Sequence, residues 1–228
     1  MANLRDIRRR IKSVKSTSQI TKAMELVSAA KMKKAQDQAL AGRDYADKLN
    51  KVLVNLKENT TEESHPLLEK REGGKELMLV ISTGRGLCGG LNTNLYKAVI
   101  KSATDETEYV TVGKKLRQTI AKTGGNIVTD WEVADPVPFN DAKPVSKFLT
   151  EKFLSGEYDK ISVAFNNFVS TLTQTPEVFQ LLPIESEDLG EKQDYEGVDK
   201  GEIGETDKAA ALGADYDFEP SAEGVLDK

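Results

Sequence analysis

Residues 77–92 read LMLVISTGRGLCGGLN, and the fold class follows from this stretch. Its first six residues, Leu77–Ser82, form a short and nearly all-apolar run, which is typical of a strand buried on both faces of a parallel sheet. A glycine-rich turn, Gly84–Gly90, comes next and leads into a predicted helix over Asn92–Lys101. A strand, a tight turn and a helix in this order indicate the first unit of an α/β sheet.

The same alternation of strands and helices continues along the chain. A last apolar segment, Glu177–Leu182, follows Phe168 too closely for a helical crossover, so we expect it to pair antiparallel at the edge. Residues 75–184 are therefore predicted to form a mainly parallel, Rossmann-like sheet domain with an antiparallel edge strand. The elements predicted between the first helix and the edge strand are strands at Tyr109–Val112, Asn126–Val133 and Lys160–Phe165, and helices at Lys114–Lys122 and Lys143–Leu154.

The N-terminal segment has a different pattern. Residues 3–58 contain no proline and one glycine, Gly42, and their apolar residues recur at steps of three and four. A helix of this span would be about 80 Å long. Such a helix needs a partner along its length, because packing rather than propensity stabilises most helices. We predict a long coiled-coil helix over residues 1–60, which ends before the breaks at His65-Pro66 and Gly73-Gly74.

Charge is distributed unevenly along the 228 residues. Residues 1–60 carry 14 Lys and Arg against 6 Asp and Glu, a balance of +8, whereas residues 185–228 carry 4 against 15, a balance of -11. The acidic segment has only isolated apolar residues and is predicted to be a linker or a disordered tail. The single cysteine excludes an intrachain disulfide, and no apolar run approaches the roughly 20 residues of a membrane-spanning helix. These features favour a cytoplasmic protein.

The glycine turn also matches the pattern G-x-G-x-x-G through Gly84, Gly86 and Gly89, so a small dinucleotide-binding enzyme is an alternative. Enzymes of that class usually carry an acid at the end of the second strand, to hold the ribose hydroxyls. Here that position reads Val112-Gly113-Lys114-Lys115, without an acid. A structural turn is therefore the preferred interpretation.

Other chemistry finds little support in the residues. A nucleophilic Cys88 would need a nearby base, and the only histidine, His65, lies in a polar loop before a proline. One cysteine and one histidine do not make a clustered metal site. The basic helix would suit nucleic acid, but Tyr45 is the only aromatic residue in the first 60, so a base-stacking surface is not expected. We predict no catalytic residue, no cofactor, no metal and no nucleic-acid partner.

Three stretches together resemble one family, the central-stalk gamma subunit of F-type ATP synthases. They are residues 10–32 (RIKSVKSTSQITKAMELVSAAKM), 82–92 (STGRGLCGGLN) and 165–170 (FNNFVS). The resemblance covers about residues 1–184 and returns at Phe218-Glu219-Pro220.

The resemblance implies a non-catalytic rotor subunit that couples proton flow through a membrane ring to ATP synthesis in an alpha–beta hexamer. In the family, N- and C-terminal helices form an antiparallel coiled coil that turns inside the hexamer. An α/β foot domain binds epsilon and the ring of c subunits, at the cytoplasmic face of the membrane and without inserting into it. The implied interface residues are Ile20, Thr21, Lys22, Met24, Val27 and Lys31 on the helix, and Arg85, Gly86, Leu87, Cys88 and Gly89 in the turn.

One departure concerns the C-terminal part. The family's second long helix should follow Phe218-Glu219-Pro220, yet the sequence stops at Lys228. We expect the helix that pairs with residues 3–58 to be missing from this sequence; a truncated gene, a fragment and a divergent subunit would all look alike. The sequence shows neither the cysteine pair of the redox-regulated chloroplast form nor a transit peptide before the family motif, which favours a bacterial-type source.

Overall fold

Helix α1 runs from Leu4 to Glu58 in the computed structural model, which describes residues 3–58, 65–71, 73–134 and 137–184. The long helix predicted over this segment is confirmed. Between Asn3 and Gly42 every side chain is exposed except the half-buried Gln36. The predicted acidic tail, residues 185–228, lies outside the described residues.

The chain divides into two compact units, Met1–Leu49 and Asn50–Lys228. The second unit contains a five-stranded sheet of order β3-β2-β1-β4-β5. Strands β1 to β4 are parallel and β5 is antiparallel to β4, which confirms the predicted sheet and its edge strand. Its elements in chain order are β1 (Glu76–Ile81), α2 (Leu91–Ser102), β2 (Thr107–Val112), α3 (Lys114–Lys122), β3 (Ile127–Trp131), α4 (Phe139–Leu154), β4 (Lys160–Phe168) and β5 (Gln174–Leu182).

The central strand β1 supplies side chains to two apolar layers, one on each face of the sheet. Met78 and Val80 pack with α2 and α3, whereas Leu77 and Leu79 pack with α4 on the opposite face. Residues 76–80 are all buried, because β1 has parallel partners on both sides and helices over both faces. This arrangement explains the nearly all-apolar run in the sequence.

Several elements are longer than the sequence predicts, and helix α4 and the edge pair of β4 and β5 are extended most. Helix α4 begins at Phe139 rather than Lys143, and Pro144 therefore lies inside the helix. Strand β4 continues to Phe168 because its last residues pair with β5, where Asn166 faces Pro176. A proline is tolerated there because β5 is an edge strand.

Candidate interaction surfaces

The first candidate surface, called here the helix stripe, consists of Ile20, Met24, Val27 and Lys31 on α1. Steps of four, three and four place these residues on one face of a helix. The exposed fractions are 57% for Ile20, 56% for Met24 and 58% for Val27. Full burial of one large aliphatic side chain is worth about 1.5–3 kcal/mol, so the stripe can contribute substantially to binding.

Thr21 lies beside the helix stripe, about 100° from Ile20 around the helix, whereas Lys22 lies on the opposite face, about 200° from Ile20. The Thr21 hydroxyl donates to the carbonyl oxygen of Thr17 at 2.9 Å, and the Thr17 hydroxyl donates to that of Ser13 at 3.0 Å. These hydroxyl protons are therefore used within the helix. The stripe itself therefore offers three apolar side chains followed by the cationic side chain of Lys31.

The second candidate surface is the glycine turn, residues 84–90, which follows the carboxyl end of β1. Leu87 adopts a positive φ of 63° and its side chain is fully exposed. Gly89 also has a positive φ, of 59°, which glycine adopts without steric cost. Arg85 and Gly86 are exposed as well, so the turn presents a cation and an apolar tip to its surroundings.

Side chains on either side of the turn hold its shape. The Asn92 amide nitrogen donates to the Thr83 hydroxyl at 2.8 Å and lies 3.1 Å from the Cys88 sulfur. The Thr83 hydroxyl in turn donates to the carbonyl oxygen of Arg85 at 2.7 Å. Cys88 is therefore half-buried inside the hydrogen-bonded base of the turn, while Leu87 points away from it.

The base of the turn is also tied to the start of α3. The backbone N–H of Lys115 donates to the carbonyl oxygen of Thr83 at 3.2 Å, and that of Leu116 donates to the Ser82 hydroxyl at 3.2 Å. Gly113 permits this approach, because a Cβ atom there would lie 2.2 Å from the Ser82 carbonyl oxygen. The turn is thus positioned by both β1 and the β2–α3 junction.

The geometry does not favour the dinucleotide alternative. The third glycine of that motif allows close packing of helix against strand, yet a Cβ atom at Gly89 would meet no atom within 4 Å. Strand β2 ends at Val112 and no acid follows it. A cavity of about 660 Å³ lies at the opposite end of the strands, where β1, β2 and β3 begin. The residues described as lining it include none from the glycine turn.

A polar cluster that the sequence analysis missed lies at the same end of the sheet, where the strands begin. Glu76 is buried at the start of β1 and accepts hydrogen bonds from the hydroxyls of Thr107 and Ser162. Tyr158 donates a hydrogen bond to Glu108, which lowers the pKa of that carboxyl group below its usual 4.5. The pKa of Tyr158 is raised, mainly because the hydroxyl is buried and also because it donates this hydrogen bond to Glu108. The available clue was an acid at the start of an apolar strand.

The predicted interface residues fall into two groups. Arg85 to Gly89 are brought together by the turn, whereas the helix residues belong to the other compact unit.

Within the described ranges, His, Cys, Asp and Glu side chains do not gather into a group of three or more that would hold a metal ion. Among the helices described, none combines the length and apolar character needed to cross a membrane. The described residues thus present two exposed candidate surfaces, one on the long helix and one on the Rossmann-like sheet domain.

Comparisons with known proteins identify the family. The family model described as ATP synthase matches residues 3–228. The ATP synthase gamma chain of Akkermansia muciniphila is 48% identical over 189 residues, which make up 83% of this chain and 65% of the relative. That of Opitutus terrae is 41% identical over 226 residues, covering 99% of this chain and 75% of the relative. The chain belongs to the ATP synthase gamma-chain family.

The comparison with solved structures agrees at the level of the fold. The central stalk and c-ring structure of the Tetrahymena thermophila mitochondrial ATP synthase contains a chain that matches with a TM-score of 0.60. The match has 24% sequence identity and covers 72% of each chain. Against the two curated relatives, this chain spans 65% and 75% of their length.

Proposed function

We propose that this chain is a non-catalytic central-stalk subunit of a proton-translocating ATP synthase. It couples proton flow through a membrane ring to ATP synthesis in an alpha–beta hexamer. The observation that carries the proposal is a 55-residue helix with an exposed apolar stripe, in a chain that belongs to the gamma-chain family. Purified alone, the chain is expected not to hydrolyse ATP.

The proposed division of labour follows the two candidate surfaces. Residues 1–60 act as the shaft helix, and its stripe contacts the alpha and beta subunits. Residues 75–184 act as the foot, which docks epsilon and the c-ring, with the glycine turn as one contact. The complex places the chain at the cytoplasmic face of the cell membrane as a peripheral subunit, with no membrane insertion and no nucleic-acid partner.

Hexamer binding tests the helix stripe. Val27→Asp places a charge on the stripe, and Leu26→Asp places the same charge about 100° away around the helix. Both residues are exposed, at 58% and 67%, so neither change disturbs packing among the described residues. Val27→Asp should weaken co-purification with the alpha and beta subunits at least tenfold, because a buried charge costs more than the 1.4 kcal/mol of a tenfold change. Leu26→Asp should change it less than threefold.

Equal effects of the two variants would exclude the stripe as the contact. Failure of the unmodified chain to bind alpha and beta subunits, where a full-length gamma chain does bind, would contradict the proposed function itself. Circular dichroism of each variant checks that helix content is unchanged, so that lost binding reports the surface and not unfolding.

The glycine turn has its own matched pair. Leu87 is fully exposed and Leu172, in the β4–β5 turn, is 94% exposed. Leu87→Asp is expected to weaken binding to one partner at least tenfold, while Leu172→Asp leaves that binding unchanged. Measuring binding to epsilon and to the c-ring separately assigns the turn to one of the two partners. Unchanged binding of Leu87→Asp to both would remove the turn from the proposed interface.

A further inference from the structure

The segment between α1 and β1 is seated on the sheet domain. Residues 65–71, called here the connector, precede β1, and every covalent path from α1 to the sheet passes through them. Leu68 is 4% exposed, and its backbone N–H donates to the carbonyl oxygen of His65 at 2.9 Å. Leu67 packs against the apolar layer beneath α4. The connector is therefore part of the packed domain rather than a free linker.

Arg71 fastens the far end of the connector to the end of α4. Its guanidinium donates a hydrogen bond to the carbonyl oxygen of Phe153 and stacks over the Phe153 ring, 4.4 Å from the centroid. Phe153 is fully buried, and the Arg71 side chain is 17% exposed. The Phe153 carbonyl oxygen also accepts a hydrogen bond from the backbone N–H of Gly156 at 3.0 Å. The last carbonyl groups of a helix carry partial negative charge and favour a cation. A planar guanidinium contacts such a carbonyl and an aromatic face together.

Two glycines then separate this anchor from the sheet. Gly73 and Gly74 lie between Arg71 and β1, and glycine allows the backbone more conformations than any other residue. The backbone alone therefore does not fix the direction of the connector relative to β1. A Cβ atom at Gly73 would lie 1.6 Å from an Asp159 carboxylate oxygen, so the close approach of Asp159 requires glycine here. Contacts made by side chains must supply the rigidity that the backbone lacks.

The C-terminal end of the sheet domain lies beside the connector. The backbone N–H of Ile184 donates to the carbonyl oxygen of Leu67 at 3.0 Å, and Ile184 packs against the same apolar layer. Ile184 directly follows the segment that leaves β5. The chain therefore enters and leaves the sheet domain side by side, at the connector that Arg71 holds.

We propose that Arg71 is a positioning residue that locks the connector to the sheet domain. This contact keeps the rotation of the helix coupled to the rotation of the sheet domain across the flexible Gly73-Gly74 pair. The inference rests on the proposed rotor function. Arg71 acts through Phe153 and the connector backbone, not through contact with another subunit.

Hydrogen exchange of the isolated chain tests the lock without assuming rotation. In Arg71→Ala, the amides of Leu68 and Ile184 should exchange at least tenfold faster, while those of Leu79–Ile81 in β1 keep their rates. Arg71→Lys should fall between, since lysine keeps the charge but lacks the planar fork. The matched control is Arg117→Ala, which removes an arginine paired with Asp130 on the surface. It should leave the connector amides unchanged.

Two exchange results would overturn the inference. Unchanged connector amides would mean that Arg71 locks nothing. Equal acceleration of connector and β1 amides would mean that Arg71 only stabilises the domain as a whole.

The functional readout is the angular fluctuation of a bead on the sheet domain, in the complex paused at a catalytic dwell. A biotin-acceptor peptide between Thr171 and Leu172, in the exposed β4–β5 turn, carries the bead. The mean-square angle should at least double in Arg71→Ala and stay at the unmodified value in Arg117→Ala. Unchanged fluctuation beside faster connector exchange would refute the role in transmitting twist. Failure of the unmodified chain to assemble would instead count against the proposed function, and the exchange results would still decide whether the lock exists.

Discussion

Replacing Gly113 with alanine should destabilise the sheet domain far more than the same change at Gly124. Both glycines have positive φ angles, 93° at Gly113 and 85° at Gly124. A Cβ atom at Gly124 would meet no atom within 4 Å, whereas one at Gly113 would lie 2.2 Å from the Ser82 carbonyl oxygen. Gly113, with a ψ of 149°, also lies in a backbone region that essentially only glycine occupies, so its backbone conformation and the collision both add to the loss expected there.

The structure sets the size of each effect. A left-handed conformation costs a non-glycine residue about 1–2 kcal/mol, which is the whole effect expected at Gly124. At Gly113 the backbone must also move away from Ser82. That movement breaks the hydrogen bonds from the Ser82 N–H to the Val112 carbonyl, at 2.8 Å, and from the Leu116 N–H to the Ser82 hydroxyl, at 3.2 Å. Each such bond is worth about 0.5–1.5 kcal/mol and the backbone conformation at Gly113 costs about 1–3 kcal/mol, so Gly113→Ala should lose about 2–6 kcal/mol in total.

Urea unfolding followed by tryptophan fluorescence measures both losses. The chain has one tryptophan, Trp131, which is half-buried in β3 with its ring 5.2 Å from that of Phe148. The Trp131 carbonyl accepts the Gly113 N–H at 3.1 Å, so the probe reports on the part of the domain being perturbed. Equal losses of unfolding free energy in the two variants would refute the reasoning, because neither the collision nor the glycine-only backbone conformation at Gly113 would then add any cost.

Three further predictions concern other parts of the chain. Amides in Ser13–Ala30 should exchange with solvent much faster than those in Leu79–Ile81, because the helix side chains are exposed and β1 is buried; equal protection in a demonstrated monomer would contradict this. Leu149→Ala should lower the free energy of unfolding by about 2–5 kcal/mol in urea titrations, since Leu149 is 2% exposed in the core; a loss below about 1 kcal/mol would contradict its core role. Tyr158→Phe should destabilise the domain most above pH 4.5, because the hydrogen bond from Tyr158 lowers the pKa of Glu108 on folding. The stability that this hydrogen bond contributes is lost as the pH falls through the lowered pKa of Glu108. A loss of unfolding free energy that is independent of pH between 3 and 7 would refute the prediction.

The sequence predicts the elements whose patterns are local. The buried run at Leu77–Ser82 and the helical spacing along residues 3–58 depend on neighbours within one element, and both predictions are confirmed. The ends of β4 and β5 depend on each other instead. Pairs such as Phe168 with Gln174 extend both strands beyond the segments that hydropathy suggests. Strand length at a sheet edge is set by the partner, which a pattern within one strand does not show.

The candidate site divides in the same way. The motif of Gly84, Gly86 and Gly89 is compatible with two functions; the missing acid after β2 is visible in the sequence, whereas the open space around Gly89, which also disfavours a phosphate cradle, is visible only in the structure. The contact between Arg71 and Phe153 spans 82 residues and has no local sequence pattern. The interface residues on α1 and in the turn stay a prediction, because their test is a partner and not the geometry of one chain.

Strand β1 lies between the connector and the glycine turn: the connector precedes its first residue, and the turn follows its last residue. Strand β1 is paired with β2 and β4 on its two sides and is covered by helices on both faces. Between the connector and the glycine turn, the chain passes through Gly73-Gly74 and then through β1. The soft joint in the described part of this path is that glycine pair, and Arg71 is the side chain that bridges it. Arg71 and Gly113 thus govern different joints: the first sets how the domain is attached to the connector, and the second sets how the turn is attached to the domain.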